Sequence, residues 1–250
     1  MSVIAICSGK GSPGATFVAV NLSAAMARAG EELLLLDLDP SGGDLCCYLG
    51  LDPRRGLYPL LRLEGGVPEA ERLLAEAEER AGLLALSGFP EPCELASSEV
   101  LGALAKVARS TGRTVLADLG RSSKFVGPTA AMADRIILVA RPDLVSVLGA
   151  ERALRRLDAA GVNRDRIDVV LSGVERRRPG DLAEVEEALR LSVLGSVPFD
   201  RQGARKGLLE QAPVRTRRLR RAFDALAGLM LRPQPAVSPR ESAEAAGVTA

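Results

Sequence analysis

Seven short apolar runs alternating with helical stretches set the strongest constraint on how this chain folds. The runs cover residues 3–7, 33–38, 83–86, 115–117, 135–139, 168–171 and 193–197. None shows a clear period of two, which suits strands buried on both faces of a parallel sheet. Helical patterns fill residues 14–29, 69–80, 99–109, 144–160, 181–189 and 216–231. Gly30 and Gly161 stand where a helix is closed by a left-handed glycine, and Ser97 and Ser98 offer N-caps to the third helix. Strands alternating with helices mean βα units, so the expected architecture is α/β: a mostly parallel sheet covered by helices on both faces. Residues 1–232 read as one domain. Residues 233–250 are small, polar and proline-bearing, and read as a disordered tail.

Composition removes several chemistries. The 250 residues contain no His, which excludes Ser-His-Asp hydrolases, Cys-His proteases and His-ligated zinc. Trp is absent and aromatics make up 3%, too few for stacking platforms on single-stranded nucleic acid. With 33 basic against 32 acidic residues, the net charge of +1 gives no global electrostatic attraction to nucleic acid. Cys7, Cys46, Cys47 and Cys93 contain no C-x-x-C pair and read as reduced, small apolar residues. The N-terminus lacks the pattern of a signal peptide, and no apolar run approaches the ~20 residues of a membrane span, so a cytoplasmic location is expected. Of the basic residues only four are lysines, and Lys10 is the sole lysine before Lys106.

The first strand-to-helix turn carries the informative motif, Ser8-Gly9-Lys10-Gly11-Ser12-Pro13-Gly14-Ala15-Thr16. A glycine-rich turn at this junction lets backbone N–H groups curl round a phosphate at a helix N-terminus. Gly9, Gly14 and Thr16 match the spacing of G-x-x-x-x-G-K-[ST], with Ala15 in the lysine position. A plain tight turn is the alternative reading of the loop alone.

Lys10-Gly11 followed by Gly14 and Thr16 resembles the deviant Walker A box of the MinD/ParA ATPases, K-G-G-x-G-K-T. The resemblance extends over about residues 1–230, through LLLLDLDPSGGDLCCYLGL (33–51), RTVLADLGRS (113–122), residues 133–157 and SVLGSVPFD (192–200). Within that family the chain looks most like the CpaE/TadZ pilus-assembly branch, whose phosphate loops are often degenerate. The resemblance implies a single P-loop NTPase-like domain binding ATP and Mg²⁺. Gly9, Lys10, Gly11, Ser12, Gly14, Ala15 and Thr16 would hold the phosphates. Thr16, Asp37 and Asp118 would serve the metal. Asp39 would orient the attacking water, and Lys10 would reach across a nucleotide-dependent homodimer. Asp at a strand end is also a common turn former, particularly Asp39 before Pro40.

Departures from the family pattern define a second set of expectations. Ala15 deletes a charge-assisted contact worth about 1.5–3 kcal/mol, or about 10- to 100-fold in affinity. Phe17 replaces a second threonine, and Pro13 removes an amide. Ser172 stands where the family carries a base-recognition strand end, and Gly120-Arg121 replaces a proline-rich switch. Nucleotide binding with slow or absent hydrolysis is the resulting expectation; the rivals are a non-catalytic scaffold on the same fold and a chromosome-partitioning ATPase. Arg215, Arg217, Arg218, Arg220 and Arg221 open the last helix, ahead of an apolar stripe of Leu219, Ala222, Phe223, Leu226 and Met230. The plain reading packs that helix on the sheet with a solvated basic face; the sharper one gives it peripheral contact with the inner face of a membrane. Protein partners in a secretion or pilus apparatus are expected ahead of DNA, even with the second basic run at Arg176–Arg178.

Overall fold

The computed structural model describes residues 2–10, 14–89, 93, 97–121, 126–175 and 181–232. Along the chain run β1 (Val3–Ser8), α1 (Ala15–Arg28), β2 (Leu33–Asp37), α2 (Leu45–Leu49), α3 (Leu57–Glu64), α4 (Ala70–Glu76), β3 (Glu78–Arg80) and β4 (Leu83–Leu86). They are followed by α5 (Ser98–Ser110), β5 (Thr114–Arg121), α6 (Val126–Ala130), β6 (Arg135–Ala140), α7 (Leu144–Ala159) and β7 (Ile167–Val174). The last elements are α8 (Asp181–Leu189), β8 (Val193–Pro198), α9 (Arg201–Leu209) and α10 (Arg217–Met230). The Arg176–Arg178 run and residues 233–250 lie outside the described residues, as do Gly11, Ser12 and Pro13.

One eight-stranded sheet has the order β3-β4-β2-β5-β1-β6-β7-β8 and is parallel except for the antiparallel β3–β4 pair. Every residue of β1 is buried, and so is every residue of β2, which explains the missing period of two. The alternation is present but divides apolar residues between two cores. Val3, Ala5, Cys7, Leu34 and Leu36 face one core, whereas Ile4, Ile6, Leu33 and Leu35 face the other. Burial, then the charge of Asp118, pushes the Cys7 thiol up to about 12, so it is an inert core residue.

The expected caps are in place. Gly30 and Gly161 have φ of +98° and +75°, and the Ser97 Oγ accepts from Val100 N at 3.3 Å. One expectation is corrected: the helix read over 69–80 stops at Glu76. Ala77 is extended, and Glu78–Arg80 forms the antiparallel edge strand β3. A hairpin turn through Ala81 and Gly82, both with positive φ (51° and 77°), reverses the chain into β4. Glu78 ties that edge down by accepting from Asp52 N at 2.8 Å and pairing with Arg80.

The last helix, α10, settles against α1. Leu219, Phe223, Leu226, Ala227 and Met230 are buried, and the Phe223 ring meets Phe17 edge-on at 5.7 Å between centroids. Ala222 is only half-buried, while all five arginines of 215–221 are exposed. The apolar stripe is therefore spent on the protein's own core. Two polar links, one buried and one part-buried, anchor this side. Asn21 of α1 accepts from Val214 N at 2.7 Å, and Arg135 of β6 pairs with Asp168 of β7 at 2.6 Å while donating to the Met230 carbonyl. Among the described residues, no helix is long and apolar enough to cross a membrane.

Candidate functional site

The loop after β1 is held against α7 by glycine. A Cβ on Gly9 would lie 2.0 Å from the carbonyl carbon of Gly149, so only glycine permits this approach of two backbones. The Ser8 hydroxyl donates to the Lys10 carbonyl at 3.0 Å and lies 3.2 Å from the Gly120 carbonyl, joining the start of the loop to the end of β5. Gly14 caps α1 with φ +92° and ψ +38°, and no side chain caps the helix. The first turn of α1 contains no acidic residue. Its N–H groups, uncapped by any side chain, and its dipole thus favour an anion.

Asp37, the last residue of β2, and Asp118, within β5, are cross-strand partners, both buried. Asp37 organises its own loop: Oδ1 accepts from Asp39 N at 3.1 Å and Oδ2 from Leu45 N at 3.2 Å. Gly43 packs so closely on this carboxylate that a Cβ there would lie 1.9 Å from Oδ2. Burial first, then the Asp118 charge, pushes the Asp37 carboxyl well above the ordinary carboxylate range. In Asp118, Oδ1 accepts from Gly120 N at 2.9 Å, whereas Oδ2 is buried without a hydrogen bond of good geometry. Burial raises this group to about 6, against the opposing effects of the nearby Thr16 hydroxyl and the Gly120 amide.

Asp39 sits across from them, half-buried, its Oδ1 accepting from Ser41 N at 2.9 Å. A Cβ on Gly120 would lie 1.9 Å from Asp39 Oδ2, and Gly120 has φ +61°, so glycine is required there twice over. Burial is the main cause that raises Asp39. The Ser41 hydrogen bonds and the Arg121 guanidinium work in the other direction.

Around these groups opens a cavity of about 520 Å³, within the range of small-molecule sites. It lies beyond the C-terminal ends of β1, β2 and β5, where open α/β sheets take their ligands. Lys10, Gly14, Ala15, Thr16 and Asp39 line it; Asp37 and Asp118 stand behind that wall, and Gly11 and Ser12 lie outside the described residues. Ser172 is buried, and its Oγ would lie 3.4 Å from a Cβ on Gly14, which puts it at the base of the phosphate loop.

The sequence reading missed Ser8, Ser41, Asp44, Tyr48 and Arg121, which also line the cavity. Asp44 and Tyr48 come from α2 and the residue before it, a helix with no strong sequence signal. Arg121 was visible only as a departure in the segment after Asp118.

The donor chemistry suits Mg²⁺. A hydroxyl, Thr16, stands near a buried carboxylate oxygen without a partner, and Mg²⁺ takes one or two protein oxygens, completing its shell with water and phosphate. Among the described residues no group of three His, Cys, Asp or Glu forms an all-protein cage.

Comparison with known proteins gives the same picture. The chain is 27% identical over 209 residues to a putative septum site-determining protein MinD of Chlorella vulgaris, covering 79% of this chain and 72% of that one. It is 31% identical over 223 residues to the uncharacterised protein Rv3660c of Mycobacterium tuberculosis, covering 87% of this chain but only 59% of the relative's length. In structure it superposes on the MinD cell division protein of Aquifex aeolicus with a TM-score of 0.74 at 20% identity, over 94% of this chain and 99% of that one. A ParA family ATPase from Chlorobium tepidum gives 0.76 at 20% identity, over 90% and 98%. A MinD from Pyrococcus horikoshii complexed with Mg-ADP gives 0.74 at 22%, over 92% and 96%. At these identities the structural matches establish the fold. The profile of the CobQ/CobB/MinD/ParA nucleotide binding domain matches residues 4–214, from the first strand through the loop, both aspartate-bearing strand ends and β8; the chain belongs to that family.

Proposed function

We propose that this protein is a MinD/ParA-like ATP-binding switch that dimerises on nucleotide and hydrolyses it slowly or not at all. The observation that carries the reading is the unpartnered, buried Oδ2 of Asp118 beside Thr16, behind a cavity floored by the uncapped N-terminus of α1. A buried carboxylate oxygen without a partner is costly, and a bound cation offsets that cost. Thr16 would hold the magnesium directly, Asp118 would support its shell from behind the cavity wall, and Asp37 would serve it by fixing the loop through Asp39 N and Leu45 N. Bound Mg²⁺ would supply charge neutralisation on the phosphates. Gly9, Lys10, Gly11, Ser12, Gly14, Ala15 and Thr16 would hold the phosphates. Lys10 lines its own cavity and in a dimer would also face the partner's phosphates. Asp39 would orient a water, and the half-buried carboxylate on the cavity wall supports that role.

The resemblance to the CpaE/TadZ branch favours a switch that localises or recruits a pilus or secretion apparatus. Peripheral contact with a membrane would have to use the exposed arginines of 215–221, since the apolar face of α10 is buried. The net charge of +1 argues against DNA as a partner, and with it against a chromosome-partitioning role. Ala15 favours a second reading, a scaffold that binds partners without nucleotide. Calorimetric titration with Mg-ATP to millimolar concentration separates the two. Saturable binding is expected. A flat titration with no thermal stabilisation would leave the scaffold.

A further inference from the structure

The loop lacks its usual lysine at Ala15, yet the cavity wall carries a second cation besides Lys10. β5 reaches it by an irregularity of register. Ile6 is opposite Asp118, but Ser8 is opposite Arg121, so β5 carries one extra residue between those two pairs. The consequence is a change of face. Along β5, Leu116 lies in the same core as Ile6 while Ala117 and Leu119 lie in the other, and Asp118 is aligned with Ile6. Without the extra residue Gly120 would stand opposite Ser8, and Arg121 would follow Leu119 to the far side of the sheet. The bulge returns Arg121 to the side of Ser8, where it lines the cavity with Ala15 and Thr16.

The irregularity is built in. Gly120 takes φ +61°, its carbonyl faces the Ser8 hydroxyl at 3.2 Å, and its missing Cβ makes room for Asp39. These contacts hold the residue before Arg121 on both sides. The Arg121 side chain is itself exposed, and its positive charge is felt by Asp39, whose carboxylate packs against Gly120. An exposed guanidinium at the mouth of an anion-accepting cavity can close on phosphate bidentately without rearranging the fold.

We infer that Arg121 supplies, in cis from the end of β5, the positive charge on the β- and γ-phosphates of a nucleoside triphosphate that the loop lacks at Ala15. The inference rests on the nucleotide-binding reading above. It makes Arg121 a binding residue.

The test is a comparison of Mg-ATP affinity among the parent, Arg121→Ala, Arg121→Lys and the double variant Ala15→Lys/Arg121→Ala, read by calorimetry. Arg121 is exposed, so the unliganded thermal midpoint of each single variant at this position should match the parent and exclude misfolding. Arg121→Ala should weaken Mg-ATP by about 10- to 100-fold, the worth of one charge-assisted contact. Arg121→Lys should keep most of the affinity, and Ala15→Lys should restore what Arg121→Ala removes. Undiminished affinity in Arg121→Ala overturns the inference and leaves the nucleotide reading standing. A loss that Ala15→Lys does not repair also overturns it, because the arginine would then be supporting local structure. A parent that binds no Mg-ATP refutes the nucleotide reading itself, a result distinct from either.

Discussion

Replacing Asp118 by Asn exchanges a buried carboxylate for an amide of nearly the same shape. The Gly120 amide keeps its acceptor, and the new NH₂ group occupies the place of the buried, unpartnered Oδ2. Burial raises the Asp118 pKa from 3.8 to about 6, and at 1.36 kcal/mol per pH unit this corresponds to about 3 kcal/mol of instability in the ionised folded state. The sign follows from proton binding. Well below pH 3.8 the carboxyl is protonated in both folded and unfolded chains and contributes nothing; the cost grows as pH rises between 3.8 and about 6 and is complete above that. Asp37 is raised partly by the Asp118 charge, so the substitution relieves it as well. Asp118→Asn should therefore stabilise the unliganded protein by up to about 3 kcal/mol at pH 7.5, or about 6–12 °C in midpoint for a chain of this size. The advantage should fade towards pH 4. Urea and thermal unfolding of both proteins between pH 4 and 8 measure it. Equal stability at pH 7.5, or a gain that persists undiminished at pH 4, would refute the assignment of an uncompensated buried charge. The stabilised variant should also lose the magnesium dependence of nucleotide binding, the trade expected when a strained group is kept for a ligand.

Two further substitutions test the frame that holds the site. Gly9→Ala drives a Cβ into the Gly149 backbone, which has no side-chain freedom to yield; a loss of about 1–3 kcal/mol in chemical denaturation is expected, and an unchanged midpoint would show that the loop does not lean on α7. Phe223→Ala removes the ring packed on Phe17 and should cost about 3–5 kcal/mol, whereas charge reversal at the exposed Arg217 should leave the thermal midpoint within about 1–2 °C of the parent.

The strand–helix alternation was legible because a parallel sheet with two covered faces demands wholly apolar strands, and β1 and β2 are written that way. What escaped was short or locally contradictory. The helix α9 carries Gly203 and Gly207, which read as breakers, yet both are contact points. A Cβ on Gly203 would meet Thr216 at 2.8 Å, and one on Gly207 would meet the Ala212 carbonyl at 3.0 Å. Tertiary packing overrides propensity there. The end of α4 was overrun because the hairpin that follows turns on Ala81, a residue that carries no turn signal but is forced to φ +51° by the pairing of β3 with β4.

The site divides along the same line. Gly9, Gly14 and Thr16 could be singled out because spacing along one segment places them, and spacing is what a sequence displays; Asp37, Asp39 and Asp118 were reached only through the resemblance to the MinD/ParA pattern. Arg121 could not, because its face depends on how two strands distant in sequence are aligned. Counting by twos from Asp118 sends Arg121 to the wrong side of the sheet; one extra residue, accommodated by a left-handed Gly120, brings it back to the cavity. The same glycine makes room for the Asp39 carboxylate, so a single backbone position sets both an acid and a base that line the cavity. On the reading proposed above, a loop with Ala15 in the lysine position takes a cation from a neighbouring strand at the cost of one residue of register, with the fold, the helix N-terminus and the buried aspartates left where they were.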